Sequence, residues 1–206
     1  IIIIYLLMLL LIFIIIIIMD KIILLHENVK EPSILINAFK NNCQVIQYNN
    51  TTTVDDVKQY VTPNITHLTL AWSHISARKE TVPFFLDQIS IPVTPDSPGN
   101  DVQMPPHYSY SNNLKNLIDH INAQTSTDLT VDLLSCDLNE SDFVAETAAL
   151  ESKSIDIRYS IDKTGNAGNW VLESDNVDVK DLYFNESISN WNHMLDSGGG
   201  GIIDLD

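Results

Sequence analysis

Five short apolar runs constrain this chain most: Lys21–Leu25, Cys43–Tyr48, His67–Trp72, Leu129–Leu134 and Ile155–Ile161. Each has strand length, and the first, third and fourth are apolar on both alternating faces, as in strands buried from two sides. Segments with helical spacing separate them. Pro32-Ser33 opens one in which Ile34, Leu35, Ala38 and Phe39 form an apolar stripe. A second covers Val54 to Val61, with Thr53 as its cap and Asp55 and Asp56 in the first turn. Leu114, Leu117, Ile118 and Ile121 mark a third, and Ser141 caps a fourth that carries Phe143, Val144, Ala148 and Leu150. Strands alternating with helices predict a three-layer α/β sandwich around a mostly parallel sheet. Thr164 to Asn169 reads as a tight loop, Trp170–Leu172 as a short closing strand, and Tyr183–Leu195 as a terminal helix or arm. Between Ile75 and Tyr110 the pattern stops, and Pro83, Pro92, Pro95, Pro98, Pro105 and Pro106 intervene. A segment of this kind reads as a binding loop, a lid or a surface excursion.

Two of the runs lead into reactive side chains. His67–Trp72 continues into Ser73-His74, and Leu129–Leu134 into Ser135-Cys136. Neighbouring strands lie about 4.8 Å apart, so side chains just past their carboxyl ends can meet. Ligands and active sites gather at that edge of α/β sheets. His74 and Cys136 are therefore the candidate catalytic pair, the imidazole drawing off the thiol proton. The plainer alternative for Cys136 is an inert buried thiol, and for His74 a surface or capping histidine. Asp162, Thr164 and Gly165 form a polar loop that could line a substrate pocket, or simply a turn. His107 and His120 are reserve bases, His67 lies at the wrong end of its strand, and Cys43 reads as core. With two cysteines there is no disulfide framework, although a Cys43–Cys136 bridge stays open. No metal-ligand spacing and no G-x-G-x-x-G or Walker motif occurs, so neither a metal nor a cofactor is expected.

The formal charge of −16, with 11 Lys and Arg, argues against a nucleic-acid partner. Residues 1 to 18 carry no charge and are long enough to span a bilayer. Two readings stand: a single-pass membrane anchor, or a mistranslated upstream region ahead of Met19-Asp20-Lys21. The first places the protein at a membrane and the second leaves it soluble. The organisation expected is a hydrophobic segment at 1–19, one α/β domain at 20–195, and a Gly-rich linker or tail at 196–206.

The stretch Asp132-Leu-Leu-Ser-Cys136-Asp-Leu-Asn, followed by Tyr159-Ser-Ile-Asp-Lys-Thr-Gly-Asn166 and Gly168-Asn-Trp-Val-Leu-Glu173, resembles the domain of unknown function 4347 family. That bacterial family commonly forms the amino end of large secreted, adhesin-like proteins. More distantly the layout is similar to the caspase–hemoglobinase fold, where one hydrophobic strand precedes a catalytic His and another a catalytic Cys. The resemblance runs from about Lys21 to Trp191 and implies a caspase-like fold with a His74–Cys136 dyad. It also implies cysteine peptidase-like activity on a peptide or protein substrate. Ile75 stands where the family pattern has Gly, and Asp137 follows Cys136 directly. Both differences suit the alternative, a non-catalytic, membrane-anchored interaction or structural module on the same fold.

Overall fold

The computed structural model describes residues 4–5, 19–49, 51–73, 86–89, 107–125, 127–138, 150–151 and 153–196, the stretches 86–89 and 107–110 as backbone alone. The elements are β1 (Lys21–His26), α1 (Pro32–Ala38), β2 (Cys43–Tyr48), α2 (Val54–Lys58) and β3 (His67–Ala71). They continue with β4 (Leu86–Ile89), β5 (His107–Tyr110), α3 (Asn112–Gln124), β6 (Leu129–Leu134) and β7 (Ile155–Tyr159). Last come β8 (Val171–Leu172), β9 (Val177–Asp178), α4 (Lys180–Tyr183) and a 3-10 turn at Glu186–Asn190.

Five strands form one sheet in the order β2-β1-β3-β6-β7, parallel throughout. β1 sends its chain outward to β2, and β3 returns on the other side of β1. The topological switch therefore falls between β1 and β3. Because both faces are covered, successive residues of a strand enter different cores. Ile22 and Leu24 pack with Val57 of α2 and with Leu114, Leu117, Ile118 and Ile121 of α3. Ile23 and Leu25 pack with Leu35 and Ala38 of α1 and with Tyr183, Ile188 and Trp191. Each such side chain, fully buried, contributes roughly 1.5–3 kcal/mol of transfer free energy. The expected α/β sandwich with helices on both faces is present.

Local chemistry sets the helix starts. Thr53 Oγ1 accepts from Asp56 N–H at 3.2 Å while the Asp56 carboxylate accepts from Thr53 N–H at 2.8 Å, a reciprocal capping box. Ser111 Oγ accepts from Leu114 N–H and caps α3. The Val54–Val61 helix is shorter than expected, ending at Lys58; Tyr60 N–H and Val61 N–H then bond three residues back, to Val57 O and Lys58 O, in a tightened turn. One expectation needs correction: the stretch 75–110 is not without regular structure, since β4 and β5 pair antiparallel. The short closing strand is present as β8, which pairs with β9 in a hairpin apart from the main sheet. The helix expected after Ser141 lies outside the described residues except for Leu150 and Glu151, which are helical.

Mid-sheet, Asp132 is wholly buried and its carboxylate takes two bonds from Arg158, at 2.6 and 2.7 Å, and a third from Tyr183 Oη. This tie joins β6, β7 and α4. Among the described residues no helix is long and apolar enough to cross a membrane. The apolar run at 1–18 lies outside the described residues apart from Ile4 and Tyr5.

Candidate active site

β3 and β6 are adjacent, with Ala71 paired to Leu134 as the last register pair. Trp72 N–H still donates to Leu134 O at 3.1 Å, so the ladder runs one step further. There the ladder stops: Cys136 N–H turns to Leu195 O at 3.2 Å, and Ser73 N–H turns to Asn28 Oδ1 at 3.1 Å. His74 is the next residue and lies outside the described residues.

The segments around this edge are fastened by backbone-reading side chains. Asn28, just past β1, receives Ser73 N–H on its Oδ1 and donates its Nδ2 to Ser73 O, both at 3.1 Å. That double bond to one residue holds the end of β3 against the β1 loop across the topological switch. After Cys136 the chain turns sharply at Asp137, whose φ is 54°, a left-handed conformation that Asp tolerates better than most residues. Asp137 N–H then donates to Asp162 O at 2.8 Å.

Cys136 is 0% exposed. Its thiol accepts from Thr164 N–H at 3.3 Å and faces Thr164 O at 3.6 Å. Its own N–H donates to Leu195 O at 3.2 Å. Burial, before any other cause, pushes the thiol up to about 12; the Thr164 N–H bond works against this, whereas Asp137 and Asp196 add to it. Lys163 lies between those two carboxylates, 3.9 Å from Asp137 and 3.7 Å from Asp196, and favours the thiolate weakly. Burial and the two carboxylates thus favour the protonated thiol in this arrangement.

The three loop residues predicted to meet substrate serve as structural ties here. Thr164 is buried, its hydroxyl donating to Ser135 O at 2.8 Å. Asp162 carries Asn169 Nδ2 on its carboxylate at 3.1 Å. Gly165 bridges to Met194 in antiparallel fashion. Cys43 and Cys136 are both free, so the bridge left open by the sequence is not made. His67 sits at the opposite end of β3, edge-on to Tyr183, with burial lowering its pKa. His120 is on the exposed side of α3 beside Gln124, and the His107 side chain is outside the described residues. Among the described residues no group of three or more His, Cys, Asp or Glu comes together in a way that could hold a metal.

Sequence reasoning missed two features of this edge. His26, at the end of β1, is 3% exposed and its Nδ1 accepts from Asn28 N–H at 3.2 Å. Nδ1 therefore carries no proton, burial keeps the ring neutral, and Nε2 bears the remaining N–H. That Nε2, Ser73 Oγ and Ser135 Oγ are all buried with no hydrogen-bond partner among the described residues. The second missed feature is the contact of Leu195 with Cys136, which carries no sequence signal because it uses backbone atoms only. Compared with family models, curated proteins and solved structures, the chain matches none.

Proposed function

We propose that this chain is a cysteine peptidase-like domain on a caspase-like α/β sandwich, closed over its own nucleophile. One observation carries the reading: β3 and β6 are adjacent parallel strands, with Ala71 paired to Leu134 as the last pair, so both chains leave the sheet at the same edge. The strand that leads into His74 therefore ends beside the strand that leads into Cys136, the arrangement a Cys–His dyad needs. Once opened, Cys136 would attack a peptide carbonyl, His74 would take and return the proton, and Cys136 N–H would hold the oxyanion. The resemblance to the domain of unknown function 4347 family supports the same assignment, and the substrate class is a peptide or protein. No cofactor is needed for this chemistry.

A second reading rests on the burial of Cys136 and its engagement by Thr164 and Leu195: a non-catalytic interaction or structural module on the same fold. If residues 1–18 are an anchor, that module would act at a membrane. Fold alone does not choose between the two.

Iodoacetamide labelling of Cys136 against pH, in a Cys43→Ala background, separates them. The variant Asn166→Ala loosens the cover, because Asn166 Nδ2 holds Trp191 O at 2.9 Å. The peptidase reading expects slow labelling of the parent and rapid neutral-pH labelling of Asn166→Ala that His74→Ala abolishes. Labelling that ignores residue 74 in both backgrounds would leave the module reading standing.

A further inference from the structure

The segment Met194–Asp196 bends at Leu195 and is tied by main-chain bonds to Cys136 and Thr164. Leu195 N–H donates to Thr164 O at 2.8 Å, and Leu195 O accepts from Cys136 N–H at 3.2 Å. Met194 and Gly165 form an antiparallel bridge one residue away. Thr164 thus holds the thiol with its N–H and Leu195 with its carbonyl, so the sulfur and the Leu195 peptide share one backbone partner. An extended segment paired antiparallel with a site's edge is a general mode of peptide recognition: main-chain bonds hold the segment and pockets choose side chains. The Leu195 side chain fills such a pocket, 0% exposed in the cluster that includes Leu134, Cys136, Trp170 and Trp191.

The chain is shaped to let this segment in. Gly165 has φ 132°, and a Cβ there would lie 2.6 Å from His193 O and 2.8 Å from Met194 Cα. A side chain at 165 would push the segment off the site. Asn166 holds Trp191 O and Ile188 O, while Trp191 Nε1 donates to Lys30 O at 2.8 Å, and these bonds aim the approach. Ser73, at the same edge of the sheet and 2% exposed, keeps a hydroxyl without a partner among the described residues.

We infer that Met194–Asp196 occupies the peptide track of the Cys136 site and that Leu195–Asp196 is the chain's own cleavage site. This rests on the peptidase reading and names its substrate class: a peptide presenting a Leu-like aliphatic residue to the nucleophile. In the first step the Cys136 sulfur bonds to the Leu195 carbonyl carbon and the bond to the Asp196 nitrogen breaks. The thiol proton leaves with the new amine. Water then hydrolyses the thioester, leaving a carboxylate on Leu195 and restoring the thiol. The products are residues 1–195 and 196–206.

Intact-mass measurement of the purified full chain, incubated at neutral pH beside Cys136→Ala, tests this, with circular dichroism confirming that both are folded. The expected result is accumulation of 196–206 from the parent and at least a hundredfold less from Cys136→Ala. Release that persists in Cys136→Ala would assign the cut to another agent and overturn the inference. No release, together with His74-dependent labelling of Cys136 in Asn166→Ala, would overturn self-cleavage while sparing the peptidase reading. No release and no such labelling would remove both.

Discussion

Asp132 and Cys136 belong to one stretch of chain and are equally buried, yet their surroundings are opposite in character. Every lone-pair direction that Asp132 needs is answered: Arg158 supplies a planar fork and Tyr183 a hydroxyl. Around Cys136, by contrast, Ser73, Ser135 and His26 each bury a polar atom with no partner among the described residues. Burying such a group unsatisfied costs about 1–3 kcal/mol. Thr69, paired with Asp132 in mid-sheet, also buries a hydroxyl with no partner among the described residues, so the contrast is between a charge held by three bonds and neutral groups left unpaired.

The largest expected effect lies on the charged side. Arg158→Met should lower stability by about 3–5 kcal/mol in urea unfolding, because it strands a buried carboxylate. A loss below about 1 kcal/mol would show that Asp132 is not desolvated and would dissolve the comparison. Next comes alkaline pH. The folded Cys136 thiol keeps its proton up to about 12, while the unfolded chain loses it near 9. Above pH 9 the unfolded state therefore binds fewer protons, and stability should fall as pH climbs towards 12, by at most about 1.4 kcal/mol per pH unit. Cys43, pushed up to about 11 by burial, adds a slope of its own, so the comparison belongs in a Cys43→Ala background. There, Cys136→Ala should flatten the curve; an unchanged slope would mean the thiol is open.

A smaller effect should follow Thr164→Val, which leaves Ser135 O without its donor. About 1–2 kcal/mol of stability is expected to go, with faster labelling of Cys136. Unchanged labelling would dissociate Thr164 from the closure. The smallest effects belong to the unpaired hydroxyls. Ser73→Ala and Ser135→Ala should fall between neutral and about 1 kcal/mol stabilising, since each removes a polar atom that is already unsatisfied. A clear destabilisation by either would reveal a partner and erase the contrast between the two regions.

The strands were legible because a two-sided sheet demands continuous apolar runs. Cys43–Tyr48 and Leu129–Leu134 begin and end where expected, and Lys21–Leu25 gains only His26. The helix start at Thr53 was equally legible, since Thr53 caps through a bond to the residue three positions on, whereas the Ser111 cap ahead of Leu114 was not read. The β4–β5 pair was missed because prolines and turn residues dominate the segment that separates its strands. Trp170–Leu172 was legible as a short strand, but a short apolar run does not say which strand it pairs with, and that partner is β9.

By itself the sequence determined the five strands of the main sheet, that the central ones are apolar on both faces, and that Cys136 follows one of them. Only the tertiary structure decided that β6 lies beside β3, that Thr164 engages the thiol, and that Leu195 covers it. The physical reason is range. Side-chain periodicity and capping are local, and hydrophobicity writes them into neighbouring residues. The contacts that close the site join backbone N–H and C=O groups from distant parts of the chain, and since every residue carries those groups, no choice of side chain announces which pair will meet.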